Sequence, residues 1–486
     1  MASVMNKLDT YIYSAEGVDP SVADSVAIKE FMKVAEEYRA ASNGGNRLRI
    51  HLILRNRAVA NALRRIPLES GIAENVELYA FTREDLWSME VLGIMPGTAV
   101  LLDRKPITAE SNSRVHLVLF GATAQAESLA LHTALVAHYP NYCRDNALRT
   151  RITWVSDSMD DFNHFKWQYK GLLENSYRRD VRIAGENIHV NASAPKYLSV
   201  RRDFVDIEWE FVAGECCNSA VLYKLCKWAA DEEQQLAVAF CYGNEEQNLN
   251  GALSLPLRDF KDTPFLLRVG DAAAVELLRH TAEYSSLIPF GMSGVKLEKM
   301  HGFIGIAQHV NYAYSRMRTT SAEEKEHGAT DMAVATELPA KEELQNLWNS
   351  SALTTAKRWS NLYNAFTLNS KMRSAGHPAE EWKTLFAMNG SDIETMAEVE
   401  HNRWCVEELI LGYTPTTPEE HDAILGDIEK RRELKALFKH DDLRAYSELG
   451  VDETGLPVKR YDVGIIRSLP LMAHSCHNLK EPENEK

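Results

Sequence analysis

One stretch constrains this chain more than any other: "VHLVLFGATAQAESLALHTALVAH", from Val115 to His138. Val115–Phe120 is a continuous apolar run of strand length, the pattern of a strand covered on both faces. Gly121 marks a tight turn, and Ala126, Leu129, Ala130, Thr133 and Ala137 then fall on one helical face. Those side chains are small, so the helix can lie close to a sheet. Strand, tight turn and helix open a dinucleotide-binding unit, whose fingerprint is G-x-G-x-x-G. Here Gly121 holds the first position, Thr123 the second and Ala126 the third. The second glycine lets the backbone approach a pyrophosphate, and Thr123 puts a Cβ in that space. The helix N-terminus still offers unpaired N–H groups and a partial positive charge. Thr123 and Gln125 add side-chain donors. The turn therefore predicts a weak or reoriented phosphate contact. The alternative is an ordinary α/β turn that only packs.

The flanking sequence extends the pattern. Strands are predicted at Leu48–Leu54, Val76–Phe81, Arg151–Ser156, Ile207–Val212, Leu236–Tyr242, Pro264–Val269 and Leu287–Gly291, with helices between them, one covering Ala272–Glu283. Strands alternating with helices predict an α/β fold with a doubly wound, mostly parallel Rossmann-like sheet. An acidic residue that ends the second strand of such a unit binds a ribose, and Asp157 stands there, 36 residues beyond Gly121. The usual spacing is about 20, and an insertion around "HYPNYCRDNALRT" accounts for the excess. Gly214 and Glu215 end the third strand at the crevice edge.

The chain has 486 residues, enough for several domains. Five segments are expected: 1–46 an N-terminal helical extension, 47–317 the Rossmann-like region, 318–390 a linker and helical connector, 391–475 a small mostly helical domain, and 476–486 a charged tail. "SDIETMAEVEHNRWCVEELILG" (Ser391–Gly412) is the clearest helix, with Ser391 and Glu394 as a capping box and Gly412 as its stop. No apolar run reaches the roughly 18–20 residues of a membrane span. The start lacks the apolar core of a secretory signal, so the expected location is the cytoplasm. A formal charge of −15 argues against nucleic acid as a partner. Seven cysteines without a C-x-x-C pair argue against a disulfide framework or a structural metal. Cys216 and Cys217 stand near a helix N-terminus but have no base at readable spacing. The "HSCH" run at His474–His477 matches no common zinc spacing. His301 and His309 are lone histidines on a helix.

With these residues in hand, residues from about Leu48 to Gly376 resemble the TrkA-type NAD-binding proteins found in prokaryotes beside, or fused to, ryanodine-receptor repeats. The stretches that carry the resemblance are the one from Val115, "ITWVSD", "FVAGE", "FLLRVGD", "IPFG" and "WSNLYNAFTLNSKMRSAG". Ser360, Asn361, Lys371 and Gly376 fit the family's last motif. Leu362 departs from it where arginine is usual, and Thr123 departs from the glycine pattern. The resemblance implies NAD or another adenine nucleotide at Gly121, Thr123, Gln125, Asp157, Gly214 and Glu215, held weakly.

The C-terminal segment resembles the ryanodine-receptor repeat through "EHNRWCVEELILGYT", "KHDDLRAYSEL" and "KRYD". Asp441 replaces the proline usual there, and the connection from Thr414 to Phe438 is longer and more helical than usual. Such repeats are cytosolic sensing modules without catalytic chemistry. Glu400 and Arg403 are spaced i, i+3 and can pair. Trp404 can stack on a purine ring, and Tyr413 and Tyr446 would wall the same space. The alternative is a set of core aromatics over a supporting ion pair.

The combined reading is a cytosolic ligand-sensing protein rather than an enzyme. It binds a nucleotide or nucleotide-derived signal and acts on a protein partner, with regulation of potassium transport and nucleotide-linked bacterial responses as the family's settings. A homo-oligomer is compatible with it. The rival readings are an NAD-dependent oxidoreductase or nucleotide-processing enzyme, and a scaffold with both sites closed.

Overall fold

The structure is a computed structural model. It describes residues 10–15, 17–41, 47–93, 102–184, 187–197, 203–215, 218–260, 262–292, 297–319, 338–350, 352–377, 381, 386–424, 427–452 and 455–478. Cys216, Cys217, nearly all of the 318–340 linker and the end of the charged tail lie outside the described residues, as do the side chains of His301, Cys476 and His477.

The chain opens with a small parallel sheet of its own. Strands β1 (Thr10–Ser14), β2 (Leu48–Leu54) and β3 (Val76–Thr82) lie in the order β1-β2-β3. Helix α1 (Ala23–Ala41) follows β1, α2 (Arg57–Arg65) follows β2, and α3 (Arg83–Val91) follows β3. Phe31 and Val34 of α1 pack on Ile50, Leu52 and Leu78 of the strands. Two expectations are corrected here. The segment before residue 47 is not only helical, because "TYIYS" is a strand. Leu48–Leu54 and Val76–Thr82 belong to this sheet and not to the one that carries Gly121.

The main body is an α/β structure around an eight-stranded, mostly parallel sheet. Its elements are β4 (Arg114–Phe120), α4 (Ala124–Val136), β5 (Thr150–Ser156), α5 (Asn163–Gln168), β6 (Tyr177–Ala184), β7 (Asn187–Ser193), β8 (Ile207–Ala213), α6 (Ser219–Ala229), β9 (Gln234–Phe240), α7 (Glu245–Leu253), β10 (Phe265–Arg268), α8 (Ala273–Arg279) and β11 (Leu287–Phe290). The spatial order is β11-β10-β9-β4-β5-β8-β6-β7, and only β7 runs antiparallel to its neighbour. The two halves diverge from β4, so the Gly121 turn stands where the order reverses. Both faces are covered. Leu117 and Leu119 of β4 pack toward Ala126 and Leu129 of α4. Val118 and Phe120 pack toward Val221 of α6 and Val275 of α8. The helix read as far as Glu283 ends at Arg279 and gives way to a 3-10 turn.

The rest is mostly helical, apart from a short parallel pairing of Thr414–Pro415 with Lys439–His440: α9 (Glu298–Thr319), α10 (Lys341–Trp348), α11 (Thr355–Phe366), α12 (Leu368–Ser374), α13 (Gly390–Ile410), α14 (Pro418–Ile424), α15 (Ile428–Ala436), α16 (Arg460–Arg467) and α17 (Leu469–Asn478). One apolar cluster runs from Leu117 and Leu129 through Phe303, Phe366, Val406 and Ile465. The helices after residue 390 therefore share a core with the sheet.

Asp85 joins the small sheet to the large one. It has no exposed surface. Arg57 of α2 lies 2.5 Å from one carboxylate oxygen and Arg64 2.7 Å from the other. The Thr82 N–H donates to it within a capping box, and Ser128 Oγ of α4 donates at 3.3 Å. Burial alone would raise this carboxyl's pKa, but the two guanidinium groups hold it far below the usual range. Removing one partner from a buried pair strands the other charge. We expect Asp85→Asn to lower stability by about 3–5 kcal/mol, read from the urea midpoint. A loss under about 1 kcal/mol would show that the arginines do not depend on it.

Candidate functional site

The Gly121 turn is built by its neighbours. Gly121 has φ +93°, and a Cβ there would lie 2.9 Å from the Tyr242 backbone just beyond β9. Only glycine meets both conditions. Its carbonyl accepts from the Trp154 indole at 2.9 Å, and its N–H donates to the Val155 carbonyl at 3.0 Å. Thr123 is the N-cap of α4: its Oγ1 accepts from the Ala126 N–H at 3.3 Å and donates to the Cys241 carbonyl at 2.6 Å. Gln125 is buried and donates to Ser88 Oγ at 2.9 Å. The expectation that Thr123 and Gln125 offer donors to a phosphate is therefore corrected, since both are committed to the fold. Asp157 and Glu215 are exposed at the ends of β5 and β8, and the Gly214 N–H donates to the Ser156 carbonyl at 2.8 Å.

The second site grows from α13. Its cap is Asn389, which accepts from the Asp392 N–H. This corrects the Ser391–Glu394 box, as Glu394 instead accepts from the Tyr446 hydroxyl at 3.2 Å. Gly412 ends the helix at φ +94°. Its N–H donates to the Leu409 carbonyl, and the Tyr413 N–H donates to Glu408. That pair of bonds is a Schellman stop.

Glu400 and Arg403 face inward, at 0% and 1% exposure. Glu400 accepts from Arg403 Nε at 3.0 Å and from Asn364 Nδ2 at 2.7 Å, and Lys371 Nζ lies 2.5 Å away. Arg403 reaches on to Glu407 at 2.7 Å. Burial would raise the Glu400 pKa, but Arg403 and Lys371 bring it down to about 2. Burial and the nearby Arg403 bring Lys371 down to about 8, although Glu400 pulls the other way. These groups therefore answer one another and leave no charge for a ligand.

Trp404 follows Glu400 by one turn on the neighbouring ridge, is half-buried, and lines a half-open cavity of about 410 Å³. Tyr314 of α9 and Tyr461 of α16 line it too, with Lys357, Arg431 and Lys435 as cations and Asp442, Asp452 and Asp462 as carboxylates. Tyr413 and Tyr446 are placed behind the wall, not in it. The Tyr413 ring is 6.2 Å from His440, and the Tyr446 ring is 5.9 Å from His401. Those two histidines do line the cavity. His440 packs edge-on to Trp404 at 4.9 Å. Its Nδ1 accepts from the Asp442 N–H, and burial, helped by Lys435 and Arg431, pushes its pKa well down. Burial, helped by Asp441, raises Asp442 to about 6. His440, Asp441 and Asp442 gather three oxygen and nitrogen atoms within 4.8 Å, but Arg431 already answers Asp441 at 2.9 Å.

His401 donates from Nε2 to the Arg444 carbonyl at 2.8 Å, with Cys405 Sγ 3.4 Å from the same nitrogen and Asp462 3.6 Å from Nδ1. Burial opposes its charge, yet Cys405 and Asp462 together carry its pKa well up. Cys405, His401 and Asp462 thus stand in the order of a nucleophile, base and acid. Cys405, however, is fully buried, and burial raises its thiol pKa. A sulfur without solvent access is not an available nucleophile.

His401, His440, Tyr461 and Asp462 were within reach of the sequence, since they stand in "EHNRW", "KHDD" and "KRYD". Tyr314 gave no signal, because nothing local ties α9 to this wall. Compared with known proteins, the chain matches no family model, no curated protein and no solved structure.

Glu400 also sets a pH dependence. Its folded pKa lies below the ordinary 4.5. It therefore contributes stability that is fully present above the unfolded value and lost as pH falls through about 2. The contribution is about 3 kcal/mol. In urea unfolding, Glu400→Gln should flatten the stability curve across this window. An unchanged slope would mean that the carboxylate is not held in its charged form.

Proposed function

We propose that this chain is a ligand-sensing regulatory protein that holds a nucleotide, or a signal derived from one, against Trp404. The observation that carries this reading is the cavity itself. Three aromatic side chains, Trp404, Tyr314 and Tyr461, line a space that also has Lys357 and Lys435 as exposed cations. Flat rings suit a base, and lysines suit a phosphate. Two further observations support it. The motifs that resemble the ryanodine-receptor repeat converge on this cavity. Six of the eight strands read from the sequence lie in the large sheet, in the order 3-2-1-4-5-6 of a Rossmann-like sheet.

In this reading the Gly121 crevice is the lesser site for NAD, because its side-chain donors are engaged. The chain's role is binding rather than turnover. Of the two histidines at the cavity, His401 has partners at both nitrogens, and His440 Nδ1 accepts from the Asp442 N–H. Occupancy reaches the rest of the molecule through α9, which carries Tyr314 and follows the last strand of the large sheet. A protein partner that reads this change completes the proposal, and the setting proposed is the cytoplasm. No helix among the described residues is long and apolar enough to cross a membrane, so a membrane transporter under its control would be a separate chain.

Calorimetry with NAD, ADP-ribose, ADP and ATP tests the reading. At least one should bind the full chain. Stacking of a base on an aromatic side chain is worth about 1–3 kcal/mol, so Trp404→Ala should weaken that binding roughly 5- to 150-fold. The variant should keep its melting temperature within a few degrees, since Trp404 is only half-buried. Binding of none of the four, or equal binding by the variant, would refute the proposal for these ligands and this wall.

A further inference from the structure

Among the described residues, one of the two edges of the large sheet is β7, "NIHVNAS", whose residues are exposed along nearly its whole length. An exposed edge strand presents unpaired N–H and C=O groups, and monomers guard such edges with lysines, prolines, bulges or inward charges. β7 has none of these. It contains no charged residue and no proline, and it pairs with β6 without a bulge over seven residue pairs. Its neighbour β6, "YRRDVRIA", carries four charges in eight residues, so the edge stands out against its own hairpin.

The edge also brings apolar surface. Val190 pairs with the buried Val181, and Ile188 with Ile183. Cross-strand pairs point to the same face, so Ile188 and Val190 extend the apolar face that packs under α6. There they are 46% and 56% exposed. Above the other face lies α5, with Lys166 Nζ 2.9 Å from Asp180 of β6. The next residue, Trp167, is 80% exposed. Tryptophan is among the side chains most enriched at the energetic centres of interfaces.

We infer that β7 is a self-association edge, where a second copy of this chain adds its own β7 antiparallel about a twofold axis at Val190. The sequence suits that register. Val190 faces Val190, Ile188 faces Ala192, His189 faces Asn191 and Asn187 faces Ser193. Apolar residues thus meet apolar and polar meet polar along all seven residues, as a self-complementary twofold contact requires. A different partner strand would need no such symmetry. A stable dimer buries about 800 Å² per partner, more than one short strand supplies, so the contact extends beyond β7, and the exposed Trp167 of α5 is the side chain placed to extend it.

Sedimentation of the full chain across a dilution series tests this. The wild-type chain should show a monomer–dimer equilibrium. Val190→Lys opposes two ammonium groups across the axis and should weaken association about tenfold or more, while Val190→Thr should stay dimeric. A second measurement needs no variant: amide exchange over 187–193 should slow as the wild-type concentration rises. A monomer at every concentration, exchange that ignores concentration, or a dimer untouched by Val190→Lys would each overturn the proposal.

Discussion

A carboxylate without exposed surface fixes the part of this molecule that borders the cavity beside Trp404. Glu400 is held by Arg403, Lys371 and Asn364. A buried charge is tolerated only when it is paired and hydrogen-bonded. That demand locks α13 in rotation about its own axis, because Glu400 must meet Lys371 of α12 and Asn364 of α11. With Glu400 turned inward, Trp404 is turned toward the cavity. The position of the tryptophan is thus a consequence of where the charge must go. Arg403 and Glu407 continue the same row, so the constraint spans two turns of the helix.

Asp85 does the corresponding work at the other end. It takes two arginines from α2 and a hydroxyl from α4, and Arg57 also lies 3.4 Å from Glu127 of α4, so turning the small sheet against the large one would break a hydrogen bond and an ion pair. Between these two centres the core is continuous and apolar. Charge thus specifies how the parts are oriented, and burial of apolar surface supplies the driving force. The same division explains the Gly121 turn. Its glycine is required by the Tyr242 backbone and its threonine by the helix cap, so the fold itself accounts for both residues.

Much of this was legible in the sequence wherever the signal is local. The apolar run at Val115–Phe120, the turn at Gly121 and the stop at Gly412 each depend on residues within a few positions, and each is where it was expected. Sheet membership was not legible. Leu48–Leu54 is a strand by its own pattern, but the pattern does not say which strand lies beside it. β6 escaped notice because its charged residues hide the alternation, and β1 because five residues make too short a period. Glu400, Arg403 and Trp404 stand on neighbouring ridges of α13, and the spacing alone does not separate their roles. Glu400 and Arg403 prove to be support, while Trp404 lines the cavity. Tyr413 and Tyr446 missed the wall by one layer, and Tyr314 reached it from a helix some ninety residues upstream.

The central claim is that the cavity beside Trp404 is built to hold a nucleotide. Mass spectrometry of small molecules released from the natively purified chain addresses it most directly, with Trp404→Ala prepared in parallel. A nucleotide or nucleotide derivative should be released from the wild-type protein and be depleted in the variant. Folded wild-type protein that releases no such molecule, or equal release from both, would contradict it.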